Sequence, residues 1–212
     1  MSFIALIDYG MGNLRSVCNA LEFVGADVRI VTTPAELKNA AGVILPGVGA
    51  FGEGMEHLNA SGFSPVLRQI AAENKTPLLG ICLGMQMMLD SSEESPGVQG
   101  LGIFPGKVLR FPEAGEKIPQ IGWNSVVLQG NNPFVRDIAQ NSFFYFVHSF
   151  YALPEDPSVV AARCHYMIDF AAALGRGSVF AAQFHPEKSQ DCGLALIRNF
   201  VNICNEKVCS IC

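Results

Sequence analysis

The sequence predicts an α/β fold: an open, mostly parallel sheet flanked by helices, with an antiparallel part added to it. Short continuous apolar runs over 3–9, 42–45 and 78–81 have the pattern of strands covered on both faces. Segments with helical spacing separate them, and strand and helix alternate four times, which means right-handed crossovers in a parallel sheet. Beyond Lys107 strand-like runs follow each other on short links, the mark of antiparallel pairing.

Of the 212 residues, half are hydrophobic and 16% are charged, so one large core is expected over residues 1–205, with a short tail over 206–212. A net charge of −5 and the lack of any basic stretch argue against a nucleic-acid partner. No charged segment followed by an apolar one opens the chain, and no apolar run reaches membrane-spanning length. Seven irregularly spaced cysteines then read as reduced thiols in a cytoplasmic chain.

The first strand, 3–9, leads into Gly10-Met-Gly-Asn13 and a helix capped by Asn13, with Leu14, Val17, Cys18 and Leu21 on one stripe and Gly25 at its end. The Gly10-x-Gly12 pair is no dinucleotide fingerprint, because Arg15 stands where its third glycine belongs. A strand over 27–31 follows, then a short helix opened by Thr33-Pro34. The strand over 42–45 runs into Pro46–Gly54, a loop carrying Gly47, Gly49, Gly52 and Gly54. Loops at strand C-terminal ends bind ligands in α/β sheets, and glycines there can present N–H groups to an anion. Helices are expected around 55–59 and 65–74, and a loop over 91–106. Strands are expected over 107–111, 120–128, 143–151, 159–164 and 178–184, and a last helix over about 192–205 with Leu194, Ile197, Val201 and Cys204 on one stripe.

The chain is organised around Lys75-Thr-Pro-Leu-Leu-Gly-Ile-Cys82-Leu-Gly-Met-Gln-Met-Met-Leu-Asp90. A buried strand turns straight into a helix at Cys82, with Gly80 and Gly84 two residues to either side. Such a turn strains its central residue and needs small neighbours, which is the nucleophile-elbow pattern with cysteine in the serine position. The helix aims its N–H groups and positive dipole end at the sulfur, favouring thiolate. A buried core cysteine is the commoner fate of a lone thiol, so a base is needed to decide.

Among four histidines, His57 reads as a surface residue and His165 as a strand end followed by an irregular stretch. His148, in a very aromatic strand, reads as a core or supporting group. His185 differs, because it closes a strand and precedes Pro186-Glu187. Pro186 biases His185 towards extended backbone, where residues i and i+2 share a side and Glu187 reaches the ring. A carboxylate on one ring nitrogen leaves the other free to act on a thiol.

Gly80-Ile-Cys-Leu-Gly-Met-Gln86 followed about a hundred residues later by Gln183-Phe-His-Pro-Glu187 resembles the class I, triad-type glutamine amidotransferase family over nearly the whole chain. The resemblance implies a flavodoxin-like three-layer architecture without cofactor or metal. Asp8-Tyr-Gly-Met-Gly-Asn13, Pro46-Gly-Val-Gly49, Gly122-Trp-Asn124, Phe144-Tyr-Phe-Val-His-Ser149 and His185-Pro-Glu-Lys-Ser189 are similar to one branch, the glutaminase subunit of imidazole glycerol phosphate synthase. Pro119-Gln-Ile121 and Tyr166-Met-Ile-Asp-Phe170 depart from that branch, which usually carries His-Met and Tyr-Gly there.

The implied chemistry is hydrolysis of L-glutamine through a Cys82 thioester, with His185 as base and Glu187 as its orienter. Leu83 N–H and a donor from Gly47, Val48 and Gly49 would hold the oxyanion, and Gln86 and the Gly52 region the glutamine. The implied partner is a (β/α)₈-barrel cyclase that uses the ammonia in histidine biosynthesis. Asn13, Trp123, Tyr145 and Lys188 would line the route to it. The same residues also fit a glutaminase serving another synthase, such as one for sugar amination, or a stand-alone γ-glutamyl hydrolase. Cys204, Cys209 and Cys212 read as part of a frayed C-terminal tail, since a structural zinc site needs four ligands and no histidine lies near them.

Overall fold

Alternate residues of the first strand, β1 (Phe3–Ile7), face two separate cores. Ile4 and Leu6 pack against α1 (Leu14–Phe23), while Phe3, Ala5 and Ile7 lie on the opposite face. This two-sided burial is what the uninterrupted apolar run requires. Asn13 caps α1 through its side chain, which accepts from Ser16 N–H, and Gly25 follows the helix at φ +87°. The computed structural model describes residues 3–209, with side chains as far as Lys207.

The strand β2 (Val28–Val31) leads to a 3₁₀ turn, Pro34–Leu37, closed by a Thr33–Glu36 capping box. Then come β3 (Ala40–Leu45), α2 (Phe51–Ala60), α3 (Phe63–Glu73), β4 (Leu78–Ile81) and α4 (Leu83–Met87). Helix α2 starts earlier than the glycines suggest. The loop expected over 46–54 therefore ends at Ala50, and Gly52 and Gly54 are helical.

The second half holds β5 (Ser91–Ser92), β6 (Gly106–Arg110), β7 (Gln120–Leu128), β8 (Ser142–His148) and β9 (Phe150–Pro154). It continues with β10 (Val160–Tyr166), β11 (Ile168–Arg176), β12 (Val179–Ala182) and α5 (Gln190–Cys209). The single strand expected over 143–151 is two, β8 and β9, which pair with different neighbours. The irregular stretch expected after His165 is a strand. Met167 turns the chain at φ +61°, and His165 and Asp169 face each other across the β10–β11 hairpin with an Nδ1–Oδ1 distance of 2.7 Å.

All twelve strands among the described residues join one sheet, whose main path runs β2-β1-β3-β4-β12-β11-β10-β7-β8. From β2 to β12 the pairing is parallel, and from β12 onward along that path it is antiparallel. Helices α1 and α5 cover one face of the parallel part, α2 and α3 the other. The helix expected to end near Asn205 runs on to Cys209. Cys204 is a core residue rather than part of a frayed end, seated where Gly42 leaves room for its sulfur, and burial raises its pKa. Cys212 lies outside the described residues, as does the Cys209 side chain. No described helix is long and apolar enough to cross a membrane.

Candidate active site

Strand β4 ends at Ile81 and α4 begins at Leu83, so Cys82 alone makes the turn, at φ +54° and ψ −108°. A side chain seldom adopts this backbone, and the turn holds only because its neighbours approach closely. A Cβ on Gly80 would lie 2.9 Å from the backbone of Gly84, and one on Gly84 would collide with the Leu45 carbonyl. Both glycines are therefore required by the packing of β3, β4 and α4. The sulfur sits at the C-terminal edge of the sheet, where β12, the parallel neighbour of β4, also ends.

The chain leaves β12 through Gln183 and Phe184 to His185, which caps a 3₁₀ turn, Pro186–Lys188. His185 is extended, as Pro186 demands, but Glu187 comes back to the ring through this turn and not along an extended segment. Glu187 Oε1 lies 2.8 Å from His185 Nδ1, and both side chains are buried. The other carboxylate oxygen, Oε2, has no hydrogen-bond partner, so the imidazole is its main source of compensation. Burial by itself lowers the His185 pKa. The adjacent Cys82 and then the hydrogen bond and charge of Glu187 outweigh it and push the value up to about 10. His185 is therefore an imidazolium at neutral pH.

Cys82 and His185 line one cavity of about 390 Å³, together with Leu83, Gln86, Val48, Gly49, Glu94, His148 and Phe150 among others. Gln86 Nε2 donates to Phe150 O (3.0 Å) and to Gln183 Oε1 (3.1 Å), and Gln183 Nε2 approaches the Cys82 sulfur at 3.9 Å. His148 Nδ1 lies 2.8 Å from Phe150 O; a carbonyl only accepts, so Nδ1 carries the proton. Burial pushes the His148 pKa down to about 4, and the ring stays neutral as a supporting group.

The opposite wall is the loop over 46–50. Leu83 N–H donates to Gly47 O at 3.4 Å. In a trans peptide the N–H points away from the C=O. Val48 N–H is therefore turned away from Leu83, and the peptide joining Gly47 to Val48 shows the site its carbonyl. Gly49, at φ +104°, gives the loop freedom to turn. Gly52, expected to help hold a ligand, is in the first turn of α2 with its N–H taken by Ser95 Oγ at 2.9 Å.

A cysteine on an elbow, a buried His–Glu pair and a glycine loop at one sheet edge form an acyl-transfer constellation. The model of the class-I glutamine amidotransferase family matches residues 5–204. The chain belongs to the class-I glutamine amidotransferase family. It is 48% identical to the imidazole glycerol phosphate synthase subunit HisH of Syntrophotalea carbinolica over 204 residues, covering 93% of this chain and 98% of the relative. It is 49% identical to the subunit of the same name from Methylococcus capsulatus over 211 residues, covering 95% and 96%. A crystal structure of a glutamine amidotransferase shares the fold with a TM-score of 0.75 at 20% identity, covering 95% of this chain and 98% of that one. PurLQS from Thermotoga maritima does so at 0.73 and 20%, covering 95% and 99%.

In this amidotransferase the other expected residues split into two groups. Trp123 and Tyr145 meet edge to face at 6.2 Å across the β7–β8 pair, and Lys188 Nζ stands 5.8 Å from the Tyr145 ring. Tyr145 also holds the His185 turn through its backbone, accepting from His185 N–H at 2.9 Å and donating to Ser189 Oγ at 3.0 Å. Asn13 spends its side-chain oxygen on its own helix. Three residues with no role in the sequence reading belong to the site: Gln183, Glu94 and Tyr9. Gln183 is accessible to alternation, since it lies two residues before His185 in the strand expected over 178–184. Tyr9, whose hydroxyl donates to Pro46 O at 2.9 Å, and Glu94, in a polar stretch, carry no local signal.

Proposed function

We infer that this chain is the glutaminase subunit of imidazole glycerol phosphate synthase, hydrolysing L-glutamine to glutamate and ammonia in histidine biosynthesis. The observation that supports the chemistry most is the buried His185–Glu187 pair beside an elbow cysteine in one cavity. In the working pair His185 holds the proton given up by the Cys82 thiol. The thiolate adds to the carboxamide carbon of glutamine, and His185 gives its proton to the leaving nitrogen, so ammonia departs and a γ-glutamyl thioester remains. Neutral His185 then takes a proton from water, the resulting hydroxide adds to the thioester, and thiolate is expelled as glutamate forms. Glu187 keeps Nδ1 engaged throughout, so Nε2 does the proton transfer.

The cavity suits the rest of the substrate. Glu94 is the one carboxylate among the described residues that line it and would take the α-ammonium, and Gln86 and Phe150 line the cavity with it. The oxyanion needs Leu83 N–H and a second donor, Val48 N–H. A half-turn of the peptide between Gly47 and Val48 frees the first and supplies the second. That turn is the control point: the partner, or its ligand, selects the rotated form.

The partner is a (β/α)₈-barrel cyclase. It docks on the exposed side of the β7–β8 pair, where Ile121, Trp123 and Phe143 are 64%, 45% and 56% exposed. Tyr145 and Lys188, behind His185, border the path for ammonia, and Asn13 belongs to the same face. The pair works in the cytoplasm. Glutamine hydrolysis is measured for the free chain and for its complex with the candidate cyclase and acceptor substrate. The complex is expected to be much faster; equal rates sink the control by rotation, and no ammonia from either sinks the function.

A further inference from the structure

Helix α2 begins without a cap of its own, because Ala50 at its N-cap has no hydrogen-bonding side chain. The orphan N–H groups of its first turn are instead held from 43 residues down the chain. Glu94 Oε2 accepts from Phe51 N–H at 2.7 Å, and Ser95 Oγ accepts from Gly52 N–H at 2.9 Å. Gly52 is small enough for this; a Cβ there would lie 2.8 Å from Ser95 Oγ. The holding segment is itself fixed. Glu93 N–H donates to Val108 O at 2.9 Å, Glu94 N–H to Ser92 Oγ at 3.2 Å, and Ser95 N–H to Ser92 O at 3.2 Å.

We propose that Glu94 and Ser95 are positioning residues for the loop over 46–50, and that Glu94 ties that loop to the occupant of the glutamine pocket. The loop has two anchored ends. Tyr9 holds Pro46 at the front, and Glu94 with Ser95 holds Phe51 and Gly52 at the rear. Only Gly47, Val48, Gly49 and Ala50 lie between, so the position of Phe51 sets where a rotated Val48 N–H points. Ser95 does not border the cavity, whereas Glu94 does. The same carboxylate that caps Phe51 thus meets the α-ammonium of glutamine. Binding the ammonium fixes Glu94, Glu94 fixes Phe51, and the rear of the loop is set when substrate is in place. The inference rests on reading the cavity as the glutamine site.

The test uses the complex with the cyclase and compares Ser95→Ala, Glu94→Gln and Glu94→Ala by kcat, KM and amide hydrogen exchange over 47–52. Ser95→Ala is expected to lower kcat roughly tenfold with KM little changed, the rate equivalent of one lost N-cap bond. Glu94→Gln keeps an oxygen for Phe51 N–H but loses the charge, so it raises KM and holds kcat. Glu94→Ala raises KM, lowers kcat as well, and speeds exchange at Phe51. Unchanged kcat in Ser95→Ala, with equal kcat for the two Glu94 variants, overturns the proposal. If Glu94→Ala does not fold, Ser95→Ala and Glu94→Gln decide. A wild-type complex that releases no ammonia from glutamine refutes the underlying reading instead.

Discussion

The side chains of His185 and Glu187 are 2% and 0% exposed, while Val48, across the same cavity, is 40% exposed. The histidine wall is tied down by backbone and side chain alike. His185 N–H donates to Tyr145 O, and Ser189 Oγ donates to His185 O at 2.6 Å. The loop wall is held at its ends and by Leu83 N–H on Gly47 O, with glycines on both sides of Val48. On the proposed reading, attack and proton transfer are prepared by the fold itself, whereas stabilisation of the oxyanion waits on one peptide rotation. Val48 and Gly49 are exposed, so on that reading the control sits beside the least packed residues of the loop.

The largest effects test the rigid wall. Cys82→Ala is expected to lower turnover on the order of a millionfold and to abolish labelling by a glutamine-analogue electrophile. Glu187→Gln keeps an acceptor for Nδ1 but removes the charge, and is expected to lower kcat on the order of a thousandfold. Alkylation of Cys82 by iodoacetamide at pH 7 slows with it; an unchanged alkylation rate breaks the claim that this wall prepares the thiol. The pair also gives stability a pH signature. The folded pKa of His185, about 10, lies above its ordinary 6.5. The folded chain thus holds the proton more tightly, and its contribution is complete below pH 6.5 and lost as pH rises towards 10. Urea midpoints fall over that window in the wild type; Cys82→Ala flattens the fall most, and Glu187→Gln flattens it in part.

The loop wall answers to a smaller change. A Cβ on Gly47 would lie 2.7 Å from the Tyr9 hydroxyl, 2.9 Å from Leu83 Cβ and 3.0 Å from Gly84 N. Gly47→Ala displaces the loop without touching His185. It is expected to cost roughly a hundredfold in kcat, the worth of one oxyanion donor. Alkylation of Cys82, which needs no oxyanion hole, stays within about twofold of wild type. A parallel loss of both would merge the two walls into one unit.

The same contrast governs what the sequence discloses. The elbow is legible because Gly80 and Gly84 are demanded by backbone contacts that few other residues permit. His185 and Glu187 are legible because proline limits the backbone between them, although the 3₁₀ turn that joins them is not. Strand β11 is hidden: Ala171, Ala172 and Ala173 carry little strand preference, and the segment is extended because β10 and β12 flank it. The break between β8 and β9 is hidden too, since the aromatic pattern runs on and only the different pairing partners separate them. Glu94 lies in a stretch with no periodicity, and its role depends on α2 beginning at Phe51. The direction of the peptide after Gly47 has no local signal at all, because glycine accepts either one.

Tyr9 is the smallest lever and separates the loop's two anchors. Its side chain is buried, and desolvation, then the neighbouring Cys82, raises its pKa, so the hydroxyl remains a donor to Pro46 O. Tyr9→Phe keeps the ring in the core and removes only that bond, a loss of about 1 kcal/mol in stability. The front of the loop then loosens while Glu94 and Ser95 still hold the rear. Kcat is expected to fall by roughly threefold to fivefold, less than for Ser95→Ala, because the ring of Pro46 keeps the front of the loop stiff without that bond. The thermal midpoint of the free chain and kcat in the complex are the two readings. A kcat loss in Tyr9→Phe larger than in Ser95→Ala would move control of the peptide rotation from the α2 end of the loop to the Pro46 end.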